Sequence, residues 1–209
     1  MSAEPNLSGL PAWAFEKEDA EDDAAFYAEA RLVTHIDDGA IGALTGFYRR
    51  VLPAGGVLID LMSSWVSHLP EDVSYAEVIG HGMNAEELAA NPRLTRWFVQ
   101  DLNRDPALPL ADASLDGAAM CVAIQYLQRP TAVLAEVTRA LKPGAPLVVS
   151  FSNRCFPTKA VAIWRSLDDR GHVALVETYL RVAGLAEVET HRLADGPLSD
   201  PMIAVVGRG

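Results

Sequence analysis

The sequence predicts an α/β domain: a three-layer αβα sandwich around a mainly parallel, seven-stranded sheet. Three observations predict it. Short apolar runs alternate with amphipathic stretches over most of the 209 residues, the pattern of strands joined by crossover helices. Runs such as Val57–Leu61 are apolar at nearly every position, as strands covered on both faces must be. The last two runs have no helical stretch between them, which predicts a C-terminal antiparallel hairpin at one edge.

Taken in order, residues 1–18 mix Pro, Gly, Ser and charge and read as a flexible N-terminal arm. The rest, 19–209, reads as one domain, with N-terminal helices over 19–52 forming a lid on a core at 57–209. From Asp19 the spacing of Phe26, Ala30, Val33 and Asp37 predicts a first helix. A second covers Ala40–Leu52, with Ile41, Leu44, Phe47 and Tyr48 as its apolar stripe and Pro53 as its stop. Strands are predicted at Val57–Leu61, Glu77–Gly80, Arg96–Gln100, Leu115–Ala123, Pro146–Phe151, Val188–Arg192 and Ile203–Val206. Helices are predicted at Ala85–Ala90, Thr131–Leu141, Lys159–Leu167 and Val173–Ala183. Asn84, with Glu87 three residues on, makes a capping-box-like start for the first of these. Lys142-Pro143-Gly144 stops the second, since glycine suits the left-handed cap and proline cannot continue the ladder. Asp195–Pro201 is rich in turn formers.

Half of the residues are apolar, enough for a sizeable core. There are 28 acidic and 17 basic residues, a formal charge of -11, which disfavours nucleic acid and anionic membrane as partners. No stretch is long and apolar enough for a membrane span, and no signal peptide is visible, so a cytoplasmic protein is expected, monomeric or homodimeric. The two cysteines, Cys121 and Cys155, have neither zinc nor redox spacing, and Cys121 reads as a small core hydrophobe. No histidine pair has ligand spacing on a helix, so no metal is expected.

From Phe98 to Phe151 the chain places Asp101 after the third strand, then Leu108-Pro109-Leu110, Leu115-Asp116, an apolar strand, a helix, Leu141-Lys142-Pro143-Gly144 and another apolar strand. This ordered series resembles the class I S-adenosylmethionine (SAM)-dependent methyltransferases, and the resemblance extends over about Val57 to Val206. It implies a Rossmann-like fold, SAM as cofactor, and a small-molecule acceptor. Ligands of open parallel sheets sit at the carboxyl ends of the strands, beside the switch in strand order, where Asp60, His81, Asp101 and Gln125-Tyr126 fall. By resemblance Asp60 is the acid that opens the first loop, and Asp101 accepts a hydrogen bond from the adenine amino group. Leu102 packs at the adenine edge and Met83 covers its face. Asp101 as a plain turn cap is the bland alternative.

The chain departs from the family twice. The first loop, usually D-L-G-x-G-x-G, reads Asp60-Leu61-Met62-Ser63-Ser64-Trp65. Met62 and Ser64 put side chains where glycines let the cofactor approach. Either the Ser63 and Ser64 hydroxyls replace backbone donors to the cofactor's carboxylate, or SAM does not bind and the fold serves a regulatory or binding role. The stretch Leu61–Pro70 reads as a specialised loop, against a helix start capped by Ser63 or Ser64 with Trp65 in the core. At the second strand Gly82 occupies the place of the acid that clamps the ribose, leaving Asn84 or His81 to supply one hydrogen bond.

Ahead of the first strand, Arg31 suits the cofactor carboxylate by bidentate pairing, with Tyr27 as a second donor. Pairing of Arg31 with Glu29 or Asp37 is the structural alternative. His35, His68 and His81 are base candidates because imidazole titrates near neutrality. Gln125 and Tyr126, at the fourth strand's end, are candidates for facing the acceptor, as are Asn153, Arg154 and Cys155 after the fifth. The catalytic candidates are thus His35, Gln125 and Tyr126.

Overall fold

The computed structural model describes residues 7, 9–196 and 198–209. Seven strands form one sheet: β1 Val57–Leu61, β2 Glu77–Gly82, β3 Arg96–Val99, β4 Gly117–Cys121, β5 Leu147–Phe151, β6 Glu187–Ala194 and β7 Met202–Arg208. Their order is β3-β2-β1-β4-β5-β7-β6. The first five pair in parallel, while β7 runs antiparallel to both β5 and β6. The hairpin thus adds two strands, β6 outermost. The chain reverses direction across the sheet between β1 and β4, which opens a crevice at their carboxyl ends.

The apolar runs explain the layers. Successive residues of a strand point to opposite faces, so Leu58, Val78, Ala119 and Val148 pack on one side, and Ile59, Ile79, Met120 and Val149 on the other. Leu44, Phe47 and Tyr48 of α2 (Asp38–Val51) cover the first face. Val133 and Val137 of α4 (Pro130–Ala140) and Val176 and Leu180 of α6 (Asp169–Val182) cover the second. Each such fully buried aliphatic or aromatic side chain contributes roughly 1.5–3 kcal/mol relative to exposure. At the stop after α4, Gly144 takes φ +75°. Lys142 Nζ meets Asp116 Oδ1 at 2.6 Å, and the other oxygen of Asp116 accepts the first amide of β1, Val57, at 2.9 Å.

Three expectations need correction. The helix predicted from Asp19 is one short turn, α1 (Asp23–Phe26). Beyond it the chain runs irregularly to α2, because side chains from elsewhere claim its backbone: Asn84 Nδ2 donates to the Tyr27 and Ala28 carbonyls, and Glu87 accepts the Arg31 amide. The helix predicted over Lys159–Leu167 is only α5 (Ala162–Arg165), since the amides of Val161 and Ala162 are taken instead by the Gln125 and Glu16 carbonyls, at 3.0 and 2.9 Å. The arm expected to be loose over 1–18 is packed from a 3-10 turn at Ala12–Phe15 onward. Ala14 is fully buried and Lys17 bridges to Val161. Residues 1–6 and 8 of that expectation lie outside the described residues, as does Pro197 within the turn-rich Asp195–Pro201.

Candidate cofactor cleft

A cavity of about 290 Å³ lies at the carboxyl ends of β1 to β4. Asp60 and Met62 line it from β1, Gly82 and Met83 from β2, Asp101 and Leu102 from β3, and Cys121 and Val122 from β4, while Tyr27, Arg31 and His35 roof it from the N-terminal segment. Most of the residues proposed to hold the cofactor therefore converge on one crevice, the one that the strand order opens.

Its floor is the first loop. Met62 stands where the family has its first glycine, and it keeps a positive φ of 54°. His68 and Val122, which also line the cavity, have φ of 51° and 49°. Left-handed conformations cost a non-glycine residue about 1–2 kcal/mol, and such strain concentrates at binding sites. The connection from β1 to β2 carries no helix, so the stretch Leu61–Pro70 is an irregular loop. Asn91 holds it, donating to Ser67 Oγ and the Ser64 carbonyl at 2.9 Å each.

The loop's hydroxyls are already engaged as donors. Ser63 Oγ donates to Asp60 at 2.6 Å and Ser64 Oγ to Glu87 at 2.6 Å. They are thus free to accept rather than to donate, unlike the role expected of them. Trp65 is not in the core; its indole N–H donates to the Val33 carbonyl at 3.0 Å and ties the roof to the floor. Asp60 is buried, and burial pushes its carboxyl up to about 6 despite bonds from Ser63 and Ser67.

At β2 the two candidate replacements for the ribose acid have structural tasks. His81 is buried, with Nδ1 accepting the Met62 amide at 3.1 Å and Nε2 donating to the Gln100 carbonyl at 3.0 Å. Both nitrogens are used, so it is not a base, and burial holds its pKa down at about 4. Asn84 Oδ1 caps α3 (Ala85–Ala90) by accepting from Glu86 and Glu87, and its amide lashes the N-terminal segment. Gly82 is required: a Cβ there would lie 2.5 Å from the Ser63 carbonyl oxygen. The two departures from the family motif are therefore one. The first loop has moved over the end of β2 and fills the space an acid would need.

Arg31 pairs with neither Glu29 nor Asp37. Its Nη2 donates to the Phe26 carbonyl at 2.8 Å and its guanidinium lies over the Phe26 ring at 4.5 Å. Nη1 is buried with no partner. A buried donor of a charged group left unpaired is costly, and this one belongs to a cavity-lining residue. The residues present thus fit the amino-acid end of SAM, whose carboxylate would complete Arg31. Tyr27 lines the cavity beside it, its hydroxyl pushed above the usual tyrosine range by burial. Asp101 keeps Oδ1 on the Asn103 amide at 2.9 Å, the turn-cap geometry, and also lines the cavity.

The acceptor-side candidates divide. Tyr126 lines the cavity, but its hydroxyl accepts the Phe156 amide at 2.8 Å and burial pushes it up to about 12. Gln125 is buried outside the cavity lining, its amide on the Val122 carbonyl. His35 sits on the roof, edge-on to Phe156 at 5.4 Å, its pKa lowered by burial. His68 has a buried, unpartnered Nδ1 and is held at about 4 by burial. Arg154 is exposed at the rim, its Nε on Asp200 at 2.9 Å, next to Cys155, while Asn153 is exposed and off the lining. Cys121 is pushed up to about 12 by burial. Among the described residues no group of His, Cys, Asp and Glu is placed to hold a metal, and no helix is long and apolar enough to cross a membrane.

Sequence reasoning gave Glu87 only a capping role and passed over Asn91 and Asn103. Asn91 precedes a proline, a turn signal. Asn103 donates to Asp23 and to the Tyr126 carbonyl, contacts that no local pattern announces.

A family model described as a methyltransferase domain matches residues 61–149. The malonyl-[acyl-carrier protein] O-methyltransferase of Hahella chejuensis is 28% identical over 174 residues, covering 80% of this chain and 61% of that protein. The chain therefore spans about three fifths of that relative's length. Two solved structures share the fold. The SAM-dependent methyltransferase of Mesorhizobium loti superposes with a TM-score of 0.56 at 18% identity, over 80% of this chain and 98% of that one. Phosphoethanolamine N-methyltransferase 2 of Haemonchus contortus, in complex with SAM, gives 0.57 at 12%, over 80% and 52%. The strand order, the strand-end cleft and the domain match agree: residues 61–149 match a methyltransferase domain, and the chain has the fold of SAM-dependent methyltransferases.

Proposed function

We propose that the protein transfers the methyl group of SAM to a small or carrier-linked acceptor that arrives already anionic. The observation that carries the cofactor half is Arg31 Nη1, buried and unpartnered in a residue lining the strand-end cleft. When bound, SAM supplies an electrophilic methyl on a sulfonium. The chain then has to hold donor and acceptor in line and keep water away. Arg31 and Tyr27 would hold the carboxylate, the oxygens of Ser63 and Ser64 would accept from the ammonium, and Asp101 would accept from the adenine amino group.

The acceptor half rests on the rim of the cleft. His81 has no free nitrogen, and Tyr126 and Cys121 sit at about 12, so a protic acceptor would depend on His35 or His68 for its proton. A carboxylate acceptor needs no base, and the exposed Arg154 at the rim suits one. The Hahella relative is named for methylating malonyl-[acyl-carrier protein], an acceptor of this kind.

Calorimetric titration with SAM and with S-adenosylhomocysteine tests the first half. Saturable binding of about one per chain is expected, weakened at least tenfold by Arg31→Met. No binding of either at millimolar concentration overturns it. Incubation with SAM and a malonyl thioester, read by mass spectrometry, tests the second half. A methyl ester on the free carboxylate is expected, and methylation confined to amines or alcohols would overturn it.

A further inference from the structure

We propose that Glu87, on the first turn of α3, holds the ribose diol of the cofactor in place of the acid missing from the end of β2. The proposal rests on the cofactor reading above. It starts from Gly82, where the approach of the Ser63 carbonyl to 2.5 Å of any added Cβ forbids a side chain. The neighbouring polar groups are committed: Asn84 to its cap and to the Tyr27 and Ala28 carbonyls, His81 to Met62 and Gln100.

Glu87 is different. It stands at the position from which a capping-box glutamate turns back to the N-cap amide. Its carboxylate reaches across the cleft instead. Oε2 accepts from Ser64 Oγ at 2.6 Å and Oε1 from the Arg31 amide at 2.7 Å, and the residue lines the cavity. An ionised carboxylate offers about four acceptor sites, so each oxygen keeps one for a hydroxyl. Two such sites on one planar group match two hydroxyls on adjacent carbons, as the missing acid would.

Place in the fold selects the ribose over the ammonium. Helix α3 packs on β2 and β3, the side of the cleft that ends at Asp101. Asp60, Ser63 and Cys121 line the other side, at β1 and β4, where the sulfonium and amino-acid end would lie. A carboxylate reaching from α3 to the first loop stands between the two, at the level of the sugar. Its bond to the Arg31 amide also ties diol binding to the roof, since Arg31 is the proposed carboxylate ligand.

The test is calorimetry on the full chain with S-adenosylhomocysteine and its 2′-deoxy and 3′-deoxy analogues. The wild-type protein should bind each deoxy analogue about tenfold or more weakly, as for a lost hydrogen bond to a charged group. In Glu87→Gln, S-adenosylhomocysteine should weaken by a similar factor and the deoxy penalty should shrink to about threefold or less. Ser64→Ala, which keeps the carboxylate, should retain the penalty, and Glu87→Asp serves should the glutamine variant not fold. An unchanged penalty in the Glu87 variants, with affinity for all three ligands lowered equally, assigns Glu87 to a strut or an ammonium contact and overturns the proposal. So does a wild-type protein indifferent to both hydroxyls. Failure of the wild-type to bind S-adenosylhomocysteine at all overturns the cofactor reading itself, and with it this one.

Discussion

A buried carboxylate at the end of β1 makes the protein's stability depend on pH in an unusual direction. Burial raises Asp60 from 3.8 to about 6, so between those values the folded chain keeps a proton that the unfolded chain has released. Its contribution to stability is intact below pH 4, falls as pH rises to 6, and stays low above that. His68 and His81 act the other way. Held at about 4 against 6.5 unfolded, they stay neutral in the fold, and stability is lost as pH falls from 6.5 to 4. Asp60→Asn keeps an oxygen for Ser63 and removes the charge. It should raise stability at pH 7.5 by up to roughly 2–3 kcal/mol, the equivalent of the two-unit shift, while changing little at pH 4. Urea unfolding of both proteins at the two pH values checks this, and equal effects at both would show that the carboxylate is not the source.

At the scale of elements, the first loop and the N-terminus of α3 form one unit. If Gly82 is forced by the Ser63 carbonyl, restoring the family's acid should fail: Gly82→Asp should lose about 1–3 kcal/mol of stability and not tighten SAM binding. Tighter binding without loss of stability would mean that the loop yields readily. Asn84→Ala removes both a cap and a lash, so it should cost about 1–2 kcal/mol and hasten proteolysis between Phe26 and Asp37, measured by limited digestion. The Asn84 cap was legible because it is local, as were β1, α3 and the turn at Gly144. The pairing of Ser63 with Asp60 and of Ser64 with Glu87 was not. The sequence displays hydroxyls at the right place and says nothing of which acid will accept from each, Asp60 three residues back or Glu87 twenty-three residues on. The first helix was misread for the same reason. Apolar spacing over 26–37 is real, but Asn84, Glu87 and Trp65 outbid the helix for its backbone groups, and no pattern within the segment contains those competitors.

Over the whole molecule, the roof of the cleft is fastened to the core by charge. Lys159 is fully buried, 3.0 Å from Asp19 and 3.3 Å from Asp23, and donates to the Glu21 carbonyl at 2.9 Å. Lys17 pairs with the same Asp23, which also accepts from Asn103. Asp23, Tyr27 and Arg31 lie on the strap that closes the cavity, so one buried ammonium links stability to ligand binding. Removing one partner of a buried ion pair leaves the others uncompensated, at a cost of about 3–5 kcal/mol. Lys159→Met should therefore lower the unfolding free energy by that order. It should also weaken SAM by shifting the strap towards open states, although Lys159 itself does not line the cleft. Arg49, exposed and paired with an exposed Asp72, is the control: Arg49→Met should do little to either quantity. Urea unfolding and calorimetry on the two variants decide the matter. A Lys159→Met protein that loses stability but binds SAM at full strength would mean that the roof is held by Asn84 and Trp65 alone, and that the charge cluster serves the fold and not the site.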